Sequence, residues 1–329
     1  MAEACCAGDG RLMLHLLFTG GTISMQRDER AGGNVPAHGG ATLVGFAPGL
    51  ERVAPYRIED WGRLPACHMG QETLWALRNR VAEVIATERP DGIVITHGTD
   101  TIEETAYLLS RTVEPAVPVV VTGAMLTSSD AGWDGPRNLT DAARVAAAPA
   151  ARGRGTLVVF AGEIFDGSQV AKMQATALHA FGAPHAAAVG SAGEGGVQFS
   201  APVPARRPLA VPDGLRARVA LVPMVIGDDG ALLDLARPAH DGLVLVAFGS
   251  GNLPPGAVPA IHRWLEEGKP VVLATRCPFG AVTPIYAFEG GGATLVRAGV
   301  IPAGARTVAQ ARMELVIALS AGASYGAGS

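Results

Sequence analysis

Short apolar, β-rich runs recur along this chain, and most are followed by a helical pattern. That alternation constrains the fold more than any other feature. Leu12–Phe18, Gly92–Thr96, Val117–Thr122 and Thr156–Phe160 read as strands, with no polar residue every second position until their ends. Between them, Gln71–Ala86 carries apolar residues at Leu74, Leu77, Val81, Val84 and Ile85, the spacing of an amphipathic helix. Strands that are apolar on both faces and separated by helices belong to a parallel sheet covered on both sides. A helix is expected after Thr101 to about Arg111. Another should open at Asp134-Gly135-Pro136, with Asp134 as N-cap and proline in the first turn.

The pattern pauses at Pro202–Pro212, which holds four prolines and two arginines without periodicity, and then restarts. Strands at Val219–Pro223, Leu243–Ala247 and Val271–Ala274 alternate with helices at Ala257–Glu267 and Thr307–Ser320. The reading is two unequal α/β domains. A larger N-terminal one over 1–205 is doubly wound around a mostly parallel sheet. A linker over 206–218 leads to a smaller Rossmann- or flavodoxin-like α/β domain over 219–329. Residues 23–43 are glycine-rich, polar and mixed in charge, and read as a mobile lid.

Charge and cysteine usage narrow the function classes. Acidic residues outnumber basic ones, 30 to 26, which argues against a nucleic-acid binder. Cys5, Cys6, Cys67 and Cys277 show neither CxxC nor Cys/His ligand spacing, so neither a disulfide framework nor a zinc site is expected. No apolar run reaches the length of a membrane span. The N-terminus has acidic residues before its apolar run and lacks a basic signal-peptide region, so a cytoplasmic location is expected. Only two of the 26 basic residues are lysine, Lys172 and Lys269. A chain that uses arginine for general positive charge keeps lysine where a removable proton is needed, because guanidinium does not deprotonate. Lys269 lies in a Glu-Glu-Gly-Lys-Pro turn and has an ordinary surface reading.

Three segments carry polar groups to strand ends. Thr19-Gly20-Gly21-Thr22 ends the first strand; its glycines allow a sharp turn and close approach, and both threonine hydroxyls are expected to face the crevice. An ordinary tight turn is the plainer alternative. His97-Gly98-Thr99-Asp100-Thr101 ends a later strand. Asp100 or Thr101 can cap the following helix with Glu103 or Glu104 as capping-box partner. The same set also offers a carboxylate for a substrate ammonium and a hydroxyl for nucleophilic or water-orienting work. Asp166-Gly167-Ser168-Gln169-Val170-Ala171-Lys172 supplies the lysine. P-loop, GxSxG and HExxH patterns are absent.

Taken together, TGGTI at 19–23, VITHGTDTIEETAYLL at 94–109, GAM and DGPRNL within 123–139, and DGSQVAK at 166–172 resemble the bacterial L-asparaginase family with threonine nucleophiles. The resemblance runs from about residue 12 to 320 and includes Gly249-Ser250-Gly251-Asn252-Leu253-Pro254. It implies hydrolysis of a side-chain amide to carboxylate and ammonia through a threonine acyl-enzyme, with no metal or organic cofactor. It further implies a homodimer or homotetramer in which the smaller domain completes the neighbour's site. By this resemblance Thr22 is the nucleophile. Thr99, Asp100 and Lys172 position and activate water, and Asp100 also holds the substrate ammonium. Gly21, Ala66, Cys67, Gly98, Asn252 and Tyr286 join Thr99 and Asp100 in binding substrate.

Three departures from the family pattern stand out. No tyrosine lies between residues 23 and 55, where the family places one on the mobile loop. Ala66 stands where the family uses a serine on the substrate carboxylate, with Cys67 beside it. Loss of such a hydrogen bond costs roughly 1.5–3 kcal/mol, about ten- to a hundredfold in affinity. Tyr286, with Glu289 nearby, falls where some members contribute an acidic residue from the partner. The expected substrate is therefore asparagine or a related small amide, including one without a free carboxylate. The competing readings are a non-catalytic amino-acid sensor or interaction subunit on the same scaffold and, on fold analogy alone, a nucleotide-binding domain.

Overall fold

The computed structural model describes residues 12–114, 116–202 and 213–326. The elements follow chain order. β1 (Leu14–Gly20), β2 (Met25–Asp28), β3 (Gly33–Pro36), α1 (Gly40–Gly45), β4 (Tyr56–Leu64) and α2 (Gln71–Thr87) come first. β5 (Gly92–Thr96), α3 (Ile102–Thr112), β6 (Val119–Thr122), α4 (Gly135–Ala147), β7 (Thr156–Phe160) and β8 (Glu163–Asp166) follow. The hairpin β9 (Ala171–Lys172) and β10 (Phe181–Gly182) precedes β11 (Gly190–Gly193) and β12 (Gly196–Phe199). Beyond residue 213 come β13 (Val219–Pro223), α5 (Ala231–Ala236), β14 (Gly242–Ala247), α6 (Val258–Glu266), β15 (Val271–Thr275), α7 (Gly292–Arg297), β16 (Ile301–Pro302) and α8 (Val308–Ser320).

The larger sheet has the order β12-β11-β8-β7-β6-β5-β1-β4. Its strands β4, β1, β5, β6 and β7 are parallel, and β8, β11 and β12 extend it antiparallel. Chain order reverses around β1, which lies between β4 and β5. A doubly wound sheet opens its ligand crevice at such a reversal, outside the carboxyl ends of the strands. Alternate residues of each strand enter opposite cores. Leu14, Leu16, Phe18, Val94, Val120 and Leu157 pack with α4 on one face. Leu17, Ile93, Ile95, Val119, Val121 and Val158 pack with α2 and α3 on the other. This two-sided burial is why the strand sequences lack polar alternation.

The smaller sheet runs β13-β14-β15-β16, parallel throughout and in chain order, so it has no reversal point. The two-domain α/β reading therefore holds, and the flavodoxin-like strand order belongs to the larger domain. The domains are joined through α3 and α8. Leu74, Tyr107 and Leu108 share a core with Leu215, Val244 and Val316. Within that contact Glu314, fully buried, accepts from Arg111 through both carboxylate oxygens at 3.0 Å and from the Tyr107 hydroxyl at 3.0 Å. α8 starts on a complete capping box, Thr307 with Gln310, and the Gln310 amide also donates to Val170 O at 3.0 Å.

The expected linker overlaps residues 203–212, and Cys5 and Cys6 lie in 1–11; both segments fall outside the described residues. Cys67 and Cys277 are exposed free thiols. No described helix is long and apolar enough to cross a membrane. The segment read as a loop after Thr22 contains the antiparallel hairpin β2–β3 and then α1. The amides of Ala37 and His38 donate to Ser24 O, Ser128 N donates to Met25 O, and Arg27 N donates to Ser129 Oγ. Four backbone pairings and these straps supply the local order that glycine-rich composition concealed.

Candidate active site

The register sets the site. Phe18 lies level with Thr96, and Thr96 with Thr122, so β1, β5 and β6 all end at one edge. Their loops then press together where only glycine fits. Gly20 and Gly21 have φ of +113° and +84°. A β-carbon on Gly21 would lie 2.4 Å from Gly98 Cα, and one on Gly98 would lie 2.5 Å from the Ala66 methyl. A β-carbon on Gly123 would meet His97 O at 2.5 Å. The turn after β1, the turn after β5 and the Ala66 turn are thus in backbone contact, with Thr22 and Thr99 following the two touching glycines.

Thr22 opens a short 3-10 turn, is partly buried, and its hydroxyl makes no hydrogen bond to any described residue. Thr19 differs from the expectation of two crevice hydroxyls. It is buried and donates to Thr96 O at 2.8 Å, so it ties β1 to β5 instead. Thr99 is buried, while Asp100 is exposed. Lys172 joins them: its Nζ donates to Thr99 Oγ1 at 2.9 Å and pairs with Asp100 Oδ1 at 2.7 Å. Two adjacent residues thus meet the ammonium of a third more than seventy positions further along the chain.

The capping expectations are corrected. Neither Asp100 nor Thr101 caps α3, and Asp134 makes no side-chain cap to α4. Thr101 Oγ1 donates to Ala66 O at 3.2 Å, holding the Ala66 turn. Glu103 accepts the Lys172 main-chain N–H at 3.0 Å. Asp134 accepts the amides of Met125 and Leu126 and the Asn138 side-chain amide, which also donates to Gly123 O. Loop amides take Asp134 and a strand amide takes Glu103 in place of helix amides, and the Asp134–Asn138 contacts hold the Gly123 turn that packs on Thr99. His97 is enclosed, bonded to Gly98 O and to Thr105 Oγ1 at 3.0 Å, and burial lowers its pKa. It shapes the turn and does not face the crevice.

Ala66 is buried and Cys67 beside it is exposed. Asn252 and Tyr286 lie in the smaller domain. Asn252 accepts Gly292 N through its side-chain oxygen at 3.3 Å, and Tyr286 is exposed and packs on Phe288 at 5.6 Å between ring centres. Among the described residues no hydrogen bond joins either to Thr22, Thr99, Asp100 or Lys172. Lys269 behaves as an ordinary turn residue, donating to Arg237 O and pairing with Glu267. Sequence reading missed the second role of Glu103, because the strand it holds is only two residues long. The described residues include one cluster of potential metal ligands, His15, Glu59 and Glu88, far along β1 from its carboxyl end. Arg80 donates to both carboxylates and Arg57 to Glu88, so arginines already supply the positive charge there.

A reversal-point crevice holding an unengaged hydroxyl, and a lysine bridging a second hydroxyl and a carboxylate, is the arrangement of an enzyme suited to nucleophilic chemistry. Comparison with known proteins narrows this. The asparaginase N-terminal domain model matches residues 13–204, and the glutaminase/asparaginase C-terminal domain model matches residues 218–327. A probable L-asparaginase of Deinococcus radiodurans is 40% identical over 316 residues, covering 94% of each chain. The L-asparaginase of Bacillus licheniformis is 31% identical over 312 residues, 93% of this chain and 94% of its own. The crystal structure of a probable cytoplasmic L-asparaginase from Campylobacter jejuni superposes with a TM-score of 0.84 at 27% identity, covering 94% of this chain and 95% of that one. The chain belongs to the asparaginase family.

Proposed function

We propose that this enzyme hydrolyses the side-chain amide of L-asparagine to aspartate and ammonia, with Thr22 as nucleophile. The observation that carries this reading is Lys172 Nζ seated between Thr99 Oγ1 and Asp100 Oδ1 beside the Thr22 turn. In the first half-reaction Thr22 Oγ bonds to the amide carbon and its proton passes to the leaving nitrogen. The C–N bond breaks, ammonia departs and an ester to Thr22 remains. In the second, a water held by Thr99 attacks the ester carbon, the ester C–O bond breaks, and the water's proton passes to the departing Thr22 Oγ, with Thr99 and Lys172 orienting the exchange. Positioned proton transfer of this kind contributes typically 10²–10⁴-fold. Asp100, exposed at the crevice, offers its second carboxylate oxygen to the substrate ammonium. Gly21 and Gly98 let the substrate approach main-chain groups, while Ala66 and Cys67 form the wall with no hydroxyl for the substrate carboxylate.

Asn252 and Tyr286 act on the substrate of a neighbouring subunit. Supporting this, Phe279, Ile285, Tyr286 and Phe288 form an exposed apolar rim on the smaller domain, the kind of surface a self-association covers. The enzyme accordingly works as a homo-oligomer, in the cytoplasm, with residues 23–43 as its lid. An ammonia-release assay over asparagine, glutamine and carboxyl-blocked asparagine tests the reading. Turnover of asparagine that disappears in Thr22→Ala and Lys172→Met supports it; undiminished turnover in either variant rejects the assigned roles. Faster turnover of the carboxyl-blocked amide would assign substrate choice to Ala66.

A further inference from the structure

Lys172 is held by more than its own ammonium. It sits in β9, a two-residue strand that among the described residues pairs with β10 alone. Met173 N donates to Ala180 O at 2.7 Å, so the neighbouring amide of Lys172 points to the opposite edge, away from β10. That edge faces α3, where Glu103 Oε2 accepts the amide at 3.0 Å. α3 begins directly after Thr99 and Asp100, the two groups that receive Lys172 Nζ. The lysine is therefore gripped at both ends by one stretch of chain, Thr99–Glu103.

We infer that Glu103 is a positioning residue whose carboxylate, by holding the main-chain amide of Lys172, sets the lysine Nζ against Thr99 and Asp100. The inference rests on the roles proposed above for Lys172 and Thr99. Two physical points support it. A short hairpin with a free edge amide has little of its own to fix a side chain to a few tenths of an ångström. An acceptor on the helix that carries the reaction partners removes that freedom, because hairpin and helix must then move together. Glu103 is also costly to keep: burial, and secondarily the charge of Glu104, push its pKa up to about 7, against the lowering effect of the Lys172 amide. With Lys172 it lines a cavity of about 420 Å³ between the domains, and its hydrogen bond is to the Lys172 amide.

The test compares three substitutions in the full-length enzyme. Glu103→Met and Glu103→Ala both remove the oxygen acceptor, the first without opening a cavity. Glu103→Gln keeps an acceptor and removes the charge. Displacement of a reacting group by about an ångström costs up to about a hundredfold in rate. The Met and Ala variants should lose about ten- to a hundredfold in kcat for asparagine at little change in KM. The Gln variant should retain most of the parent kcat, with all three melting as folded proteins. Parent-level kcat in Glu103→Met or Glu103→Ala, or equal impairment in Glu103→Gln, overturns the positioning role. Should the parent enzyme not turn over asparagine, the substrate reading fails separately. The positioning role is then read from a crystal structure of Glu103→Met: Nζ withdrawn from Thr99 Oγ1 beyond hydrogen-bonding distance supports it, and an unchanged 2.9 Å contact overturns it.

Discussion

Both domains end parallel strands in glycine-bearing loops, but they spend the polar groups of those loops differently. In the smaller domain Gly251, at φ +114°, presses on Val282 and Leu273, Thr275 Oγ1 donates to Gly249 O at 2.6 Å, and the Asn252 side chain accepts Gly292 N. The loop groups satisfy one another. In the larger domain the glycines press on each other's backbones, and the hydroxyls and carboxylate beside them are left for Lys172 or for a ligand. The difference follows from topology. Strands in chain order carry their connections to one side, whereas the reversal at β1 parts the connections and leaves a crevice between them. Close packing at glycine then brings the functional residues within reach of one another.

The sharpest way to break this comparison is to exchange the treatment of the two lysines. Lys172→Met should lower kcat/KM for asparagine by about 10²–10⁴-fold. Thr99→Val should cost nearly as much, and the double variant little more than the worse single one, because the two act as a unit. Steady-state ammonia release checks all three, and additive losses would separate the two roles.

Next in size is the contact that joins the domains. Glu314→Ala leaves Arg111 buried without its bidentate partner, and removing one member of such a pair costs about 3–5 kcal/mol. Denaturant unfolding should show the loss. A change below about 1 kcal/mol would mean that the pair does not hold the α3–α8 contact.

Smaller losses of stability separate the two kinds of glycine. Gly21→Ala places a methyl against the Gly98 backbone at φ +84°, a strain of about 1–3 kcal/mol, and should abolish activity by parting the two turns. Gly268→Ala, at φ +71° with open space around it, should cost about 1–2 kcal/mol and leave activity unchanged. Thermal melting and ammonia release on both variants make the comparison.

A pH effect follows from Glu103. Its folded pKa of about 7 lies above the ordinary 4.5, so the folded chain holds a proton that the unfolded chain has released. Its contribution to stability therefore falls as pH rises from about 4.5 to about 7 and then levels off. Glu104, Lys172, His185, Arg276, Arg306 and Arg312 share its cavity, with Cys277 at the rim, and remain in place in Glu103→Gln. That variant should show a flatter dependence of unfolding midpoint on pH. The smallest expected effect is at Lys269, whose replacement by Met should leave activity at the parent value and stability within about 1 kcal/mol.

Much of this was legible in the sequence. β5, β7 and β13 run over the residues that their apolar runs mark, because burial on both faces leaves a continuous signal. The closing helix expected over Thr307–Ser320 runs over Val308–Ser320, directly behind Thr307. Thr22, Thr99, Asp100 and Lys172 stand out because glycine turns and a rare lysine mark strand ends. What was not legible is the choice each polar group makes among partners of similar strength. Thr19 turns inward to Thr96, Asp134 takes loop amides, and Glu103 takes an amide 69 residues away. Nor does local pattern reveal Arg111 with Glu314, which lie 203 residues apart and meet only when the domains do.

If Thr22 is the nucleophile, as proposed above, its hydroxyl carries the covalent intermediate. Mass spectrometry of enzyme acid-quenched during turnover of asparagine tests it most directly. The expected result is an added aspartyl group on the peptide containing Thr22, absent in Thr22→Ala. An acyl group on another residue, or steady turnover in Thr22→Ala, would contradict it.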